Sequence, residues 1–430
     1  MGSSVIDRMK LIEELYPICR SITGNGVRET LSILEKHFPL EIYEVASGKK
    51  VFDWEVPEEW NISDGYIECP DGNKIANFHD NNLHVMSYSQ RVNATMSLEE
   101  LKDHIHTLPD HPNWIPYRTM YYDRSWAFCL SQNVLDSLPK GMYRAFIDAS
   151  HTKGSLSYAE AVFPGTSGKE VLFSTYVCHP SMCNDNLSSV SIVASLAKYI
   201  SKKSSLEHTY RFIFVPETIG AITWLSQNQK LFRKIIAGVN FSCTGNEGTL
   251  TFKKSRRENS LADIMMSNTL KEIGYDHDIV DFSPLGSDER QYCSQGINLP
   301  MVTLMRSPPG KFDEYHTSAD NMDIISEKSL DEVYQACVSF IENLEKNKTY
   351  INMYGKCEPQ LGKRGLYRKV GGQRTNETSQ KAIKWVLSYS DGKHDLLEIS
   401  NKSGICINDL HDAAKALEDK SIIVRITNKL

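Results

Sequence analysis

From about residue 160 to residue 347 the chain alternates short, densely apolar runs with stretches whose apolar residues recur at helical spacing, and few architectures accommodate that rhythm. The runs at 171–177, 210–215, 235–241 and 301–305 read as strands, and the segments at 188–201, 221–230, 261–273 and 329–345 read as helices. Strands apolar on both faces must be covered by helices on both sides, so the pattern predicts a doubly wound α/β sheet. In such a sheet the polar residues that end the strands gather at the carboxyl edge, where ligands bind.

Two of these runs stop at chemically capable side chains. The first continues as Val177-Cys-His179-Pro-Ser-Met-Cys-Asn-Asp185-Asn186, and the second ends in Val215-Pro-Glu217-Thr-Ile-Gly220. A third segment, Glu314-Tyr-His316-Thr-Ser-Ala-Asp320, reads as a polar loop. A hydrolytic zinc needs a few nitrogen and oxygen ligands and one open position for a water, whose pKa it lowers to roughly 7. His179, Asp185 and His316 form such a set, and the two imidazoles must be neutral to bind, so acid would release the ion. Glu217 then stands as general base, its pKa raised by partial desolvation. Asp320 is placed to orient an imidazole from behind, and Tyr315 to donate to an oxyanion or to serve as a core aromatic. Each residue also has a structural reading. His179 suits a hydrogen-bonded strand end, Asp185-Asn186 a helix N-cap, Glu217 a first-turn acid, and His316 an ordinary loop.

Composition bounds the remaining possibilities. A chain of 430 residues, 40% hydrophobic, supports two or three domains. A formal charge of −6 and a pI near 6.1 give no general attraction to nucleic acid or to an anionic membrane surface. Met1-Gly-Ser-Ser-Val-Ile-Asp-Arg has no apolar core of signal-peptide length, and no run approaches the roughly 20 apolar residues of a membrane span, so a cytoplasmic protein is expected. The 10 cysteines lack CxxC pairs or framework spacing and read as buried thiols, with only Cys178 and Cys183 near the proposed centre.

The flanks differ in pattern. Residues 5–38 carry two helical patterns broken at Gly24-Asn-Gly26, and residues 51–158 change to short aromatic runs and turn residues, read as a small, mostly β insertion. The expected domains are therefore an α/β domain of residues 1–50 and 159–355, the insertion of 51–158, and a last unit of 375–430 behind the polar linkers Gly362-Lys-Arg-Gly and Gly371-Gly-Gln-Arg. That last unit reads as helix at 382–387, helix, turn and helix through 396–417, then a strand at 422–426, the outline of a winged helix-turn-helix. Residues 376–430 hold eight Lys or Arg against eight Asp or Glu, which favours docking or dimerisation over nucleic-acid binding.

The order His179-Pro-Ser-Met-Cys-Asn-Asp185-Asn186, Glu217-Thr-Ile-Gly220, Gly286-Ser-Asp-Glu-Arg-Gln-Tyr292 with Asn298-Leu-Pro300, and Tyr315-His316-Thr-Ser-Ala-Asp320 resembles the M28-type zinc aminopeptidases. Nearly the whole chain is similar to bacterial aminopeptidase-like proteins of the DUF4910 type, found with polysaccharide biosynthesis genes, with a nested DUF2172 insertion and a C-terminal winged helix. The resemblance implies a phosphorylase/hydrolase-like mixed sheet, zinc on His179, Asp185 and His316, and Glu217 as base. It places Ser287-Asp-Glu-Arg-Gln291 facing the substrate, where Glu289 would accept an amino or hydroxyl group and Arg290 would clamp a carboxylate or phosphate. The structural reading of that segment is a mutual ion pairing of Asp288, Glu289 and Arg290.

Departures from the M28 pattern matter as much. Thr218 stands where those enzymes place a second glutamate, and Val239-Asn-Phe-Ser-Cys-Thr-Gly245 has no acid where they place an aspartate. One zinc per chain is expected rather than two. The missing acids also weaken the case for gripping a free amino group. The expectation is an amide hydrolase acting on a small peptide or an amino-acid- or sugar-derived metabolite. The alternatives are a deacylase or esterase on a carbohydrate intermediate, and a non-catalytic binding or regulatory protein with structural zinc. A homo-oligomer is compatible with the chain, and no membrane partner is expected.

Overall fold

The structure, a computed structural model, describes residues 5–366 and 378–427, so the Gly371-Gly-Gln-Arg linker lies outside the described residues. The chain divides into two compact units, Met1–Ile264 with Tyr275–Gln335, and Met265–Gly274 with Ala336–Leu430.

The first unit is built on an eight-stranded mixed sheet. Its strands in chain order are β1 (Glu41–Ala46), β2 (Ser155–Phe163), β3 (Glu170–Tyr176), β4 (Thr209–Val215), β5 (Ile235–Phe241), β6 (Leu250–Lys253), β7 (His277–Val280) and β8 (Met301–Met305). They lie side by side in the order β1-β2-β4-β3-β5-β8-β6-β7. The central strands β4, β3, β5 and β8 run parallel, while β1, β2 and β6 pair antiparallel. Every residue of β3 and β8 is buried, as continuous apolar strands in a helix-covered sheet must be. Phe173 stacks on Phe212 at 5.0 Å and on Phe241 at 6.1 Å, knitting three adjacent strands on one face.

The alternating stretch is observed as read from the pattern, with helices Ser189–Ile200, Ile219–Gln227, Leu261–Ile273 and Glu327–Lys346 following the central strands. The sheet is wider than that stretch predicts. β1 and β2 enter from earlier in the chain, and β6 and β7 are four-residue strands too short to show a period.

Between β1 and β2 lies a four-stranded antiparallel sheet ordered Lys74–Ile75, Glu59–Glu68, Met142–Thr152, Val92–Ser97. Along Met142–Thr152 the residues Tyr143, Ala145, Ile147 and Ala149 are buried and their neighbours are not, the two-residue period of a one-sided sheet. A loop from this region, residues 115–121, reaches the metal-ligand candidates described below.

The second unit contains helices Thr378–Tyr389, Leu396–Ser403 and Ile407–Glu418 and a three-stranded sheet ordered Asp391–Asp395, Thr349–Asn352, Ile423–Ile426. Asp395 and Glu398 form a reciprocal cap that starts the second helix, and Gly404 ends it at φ +69°, a left-handed position glycine adopts at no steric cost. The third helix buries Ile407, Leu410, Ala413, Ala414 and Leu417 on one stripe. The middle strand, Thr349–Asn352, comes from far upstream of the other two, which is why the last stretch alone did not reveal it.

Candidate metal centre

His179, Asp185 and His316 converge although the chain separates them widely. One ligand atom of each lies within 4.8 Å of the others. His179 sits just past the end of β3, and Asp185 lies at a non-helical kink within the turn Cys183–Ser188 that follows, joined to Asn186 by a cis peptide bond. His316 is carried by a loop after β8 at φ +57°.

His316 Nε2 is 3.0 Å from Asp185 Oδ2, and His179 Nε2 is 3.9 Å from the same oxygen. The 3.0 Å approach does not meet hydrogen-bond geometry, and both His316 Nε2 and Asp185 Oδ2 are buried atoms without a hydrogen-bond partner. Two orphaned lone-pair donors facing one another, beside a second imidazole, are what a cation site requires; a purely structural cluster would satisfy them. The residues therefore fit a divalent ion.

The surroundings fix this geometry. Tyr176 donates to Asp185 Oδ1 at 2.5 Å and lies 2.9 Å from the Ser242 hydroxyl. The Asp320 carboxylate accepts from the main-chain N–H of Asn184 at 2.5 Å and of Asp185 at 2.9 Å. This corrects the expectation that Asp320 orients an imidazole: four residues past His316 its loop has turned back over the Asp185 turn, and its oxygens meet main chain. Arg20, fully buried, donates through Nε to the His179 carbonyl at 3.0 Å and through Nη1 to the Leu15 carbonyl. Tyr117 places its ring 5.3 Å from that of His179 and 5.2 Å from that of His316. Its N–H donates to the His316 carbonyl at 2.7 Å, while Ile115 and Ser318 exchange bonds of 2.8 and 2.9 Å, so the insertion-side loop grips the His316 loop.

Glu217 follows β4, with its Oε2 3.9 Å from His179 Nε2. Its main-chain N–H is 3.2 Å from Cys178 Sγ, and the Ser287 hydroxyl donates to Oε1 at 3.0 Å. Burial, reinforced by the Asp185 charge, pushes Glu217 up to about 7 against the pull of Ser287, His316 and Arg290. Burial would raise Asp185 as well, but the two histidines and the Tyr176 hydroxyl outweigh it and hold the carboxyl at about 2. Burial brings His179 down to about 4, against the opposing pull of Asp185, so its ring is neutral and able to bind a metal at ordinary pH.

The segment expected to face substrate separates into distinct roles. Asp288, Glu289 and Arg290 do not pair with one another. Asp288 accepts from the Thr218 N–H at 2.7 Å and leaves Oδ2 without a partner. Glu289 is buried against Lys253 at 2.7 Å, and the exposed Arg290 donates to the Thr218 hydroxyl at 3.1 Å. Tyr315 stacks on His316 with ring centres 3.8 Å apart. Cys178 and Cys183 are free thiols outside the three-ligand cluster. Sequence reasoning did not single out Tyr176, Ser287 or Arg20. Tyr176 had a faint signal as the last residue of the strand before His179; Arg20, in the N-terminal helical region, had none.

A family profile described as "Domain of unknown function (DUF4910)" matches residues 9–347, and one described as winged helix-turn-helix matches residues 348–425. A Clostridium acetobutylicum protein provisionally named for polysaccharide biosynthesis and an aminopeptidase-like domain is 49% identical over 407 residues, covering 95% of this chain and 93% of that one. The crystal structure of a provisionally named peptidase from the same organism superposes with a TM-score of 0.92 at 46% identity, covering 98% of this chain and 96% of that chain. A zinc aminopeptidase from Bacillus subtilis, at 12% identity and a TM-score of 0.58, covers 78% of this chain and 94% of its own, a likeness of fold. The chain thus has the mixed α/β fold of the aminopeptidases joined to a winged helix, and it belongs to the DUF4910 family.

Proposed function

We propose that this chain is a metal-dependent hydrolase of the aminopeptidase-like kind, with one zinc held by His179, Asp185 and His316, cleaving an amide bond in a small peptide or an amino-acid- or sugar-derived metabolite. The observation that carries this reading is the pair of orphaned atoms, Asp185 Oδ2 and His316 Nε2, next to His179 Nε2, with the Glu217 carboxylate 3.9 Å from that imidazole. Zinc bound there supplies Lewis acidity and a water of lowered pKa.

The chain's own residues do the rest. Glu217 Oε2 takes the proton from the attacking water and returns it to the leaving nitrogen, while Ser287 holds Oε1 and fixes the direction of Oε2. Tyr176 occupies Asp185 Oδ1, leaving Oδ2 as the ligand oxygen. Asp320 holds the Asp185 turn in place, Tyr315 lines the approach of the substrate, Arg290 braces the residue after Glu217 through the Thr218 hydroxyl, and the buried Glu289 acts through Lys253 rather than on the substrate. Thr218 follows Glu217 where a second acid would be needed for another ion, which supports a single metal.

The test is Glu217→Gln in the full chain, with metal content measured by elemental analysis and turnover screened against aminoacyl amides and N-acyl amino sugars. The variant is expected to keep its metal and lose about 10²–10⁴-fold in turnover. Undiminished turnover removes Glu217 as the base, and a wild-type chain that takes up no zinc removes the centre itself.

A further inference from the structure

Beside the metal ligands lies a cavity of about 490 Å³, within the range of small-molecule sites. Its wall is shared with the proposed centre: Ser287 bonds Glu217, Ser242 contacts Tyr176, and Tyr315 stacks on His316, and all three line the cavity. Its polar lining includes Lys253 and Thr303, two buried residues that no step of the proposed chemistry uses.

These residues belong to one row. Asn240 of β5 pairs in register with Thr303 of β8, and Thr303 pairs with Lys253 of β6, so the three side chains stand together on one face of adjacent strands. Glu289 closes the row, accepting from Lys253 at 2.7 Å and from Asn240 at 3.2 Å. The ammonium of Lys253 also donates to the Leu285 carbonyl at 2.6 Å, which leaves one of its three N–H bonds. Thr303 Oγ1 and Asn240 Oδ1 are buried without any hydrogen-bond partner.

We infer that this cavity is a specificity pocket for a neutral, hydroxyl-bearing group of the substrate, with Thr303 and Lys253 as its recognition residues. The inference rests on the metal reading above. Lys253 and Glu289 already neutralise each other, and the other charged lining residues, Asp281 and Lys311, are exposed at the rim, so a charged group seated against Thr303 would lack a counter-ion at that depth. An apolar guest would leave the already orphaned Thr303 hydroxyl without a partner and cover the last Lys253 N–H, forgoing bonds that a polar guest supplies. A hydroxyl satisfies both conditions, because it accepts from Lys253 and donates to or accepts from Thr303.

The experiment uses zinc-loaded full-length protein and calorimetric titration with chain-matched hydroxamates. 4-Hydroxybutanohydroxamic acid is compared with pentanohydroxamic acid, which replaces the hydroxyl by a methyl, and with glutaric monohydroxamate and 4-aminobutanohydroxamic acid, which carry a carboxylate and an ammonium. Acetohydroxamic acid reports the metal alone. The hydroxyl compound is expected to bind about ten-fold more tightly than the methyl compound, and the two charged compounds more weakly than the hydroxyl one. In the isosteric Thr303→Val variant the gap between hydroxyl and methyl should close while acetohydroxamic acid binds unchanged. Equal or tighter binding of the methyl or either charged compound overturns the pocket assignment, as does a gap that survives in both Thr303→Val and Lys253→Met. If acetohydroxamic acid itself fails to bind, the metal reading falls and this inference with it.

Discussion

Glu217 shows how little separates a structural acid from a base. A glutamate on the surface would titrate near its ordinary value, but this one, with 27% of its side chain exposed, is partly desolvated beside Asp185 and raised to about 7. Its base form is present above that pH and lost below it, so turnover should rise with pH on the acid side. A bound dication favours the carboxylate, so the acid limb of kcat/KM in the zinc-loaded protein is expected below 7. A pH–rate profile that instead falls as pH climbs through that region would be incompatible with Glu217 accepting the proton. The residue was readable as the acid ending an apolar run. Its partner Ser287 lay in the segment that the resemblance set facing the substrate, but nothing along the chain marked its hydroxyl for the Glu217 carboxylate 70 positions away.

At the scale of elements, the site is two loops held by main-chain bonds. The Asp185 turn is pinned by both Asp320 oxygens, and the His316 loop is pinned by residues 115–117. Asp320→Asn would set an amide N–H₂ against a main-chain N–H and free the turn that aims Asp185. Such supporting partners typically contribute 10–100-fold in metal affinity, and a loss of about that size is expected in a zinc-competition titration. An unchanged zinc affinity would mean the turn holds its shape without Asp320. The central strands and their helices were legible because apolar runs and 3.6-residue stripes are local properties. Strands β6 and β7 were not, and neither was the grip of the insertion-side loop on His316, since both depend on residues far apart in the chain.

At the scale of the whole molecule, an aminopeptidase-like fold and a winged helix share one chain. The winged unit is balanced, with eight basic against eight acidic residues from 376 to 430, so its composition carries no net positive charge to drive phosphate binding. The full chain is expected to show no salt-sensitive association with duplex DNA in a low-salt mobility shift; affinity that falls steeply with added salt would overturn that expectation. Among the described residues no helix is long and apolar enough to cross a membrane. The amino-acid order by itself determined the parallel core strands, the helices that cover them, the winged-helix outline and the candidates His179, Asp185, Glu217 and His316, because burial pattern and residue chemistry are written along the chain. Only the tertiary structure decided that Asp185 Oδ2 and His316 Nε2 face each other at 3.0 Å without a hydrogen bond, that Asp320 serves the main chain rather than an imidazole, and that Lys253, Thr303 and Asn240 form one polar row beside the site. Those facts are distances between side chains whose positions along the chain are unrelated, and they are set by the packing of the sheet together with the main-chain bonds that hold its loops.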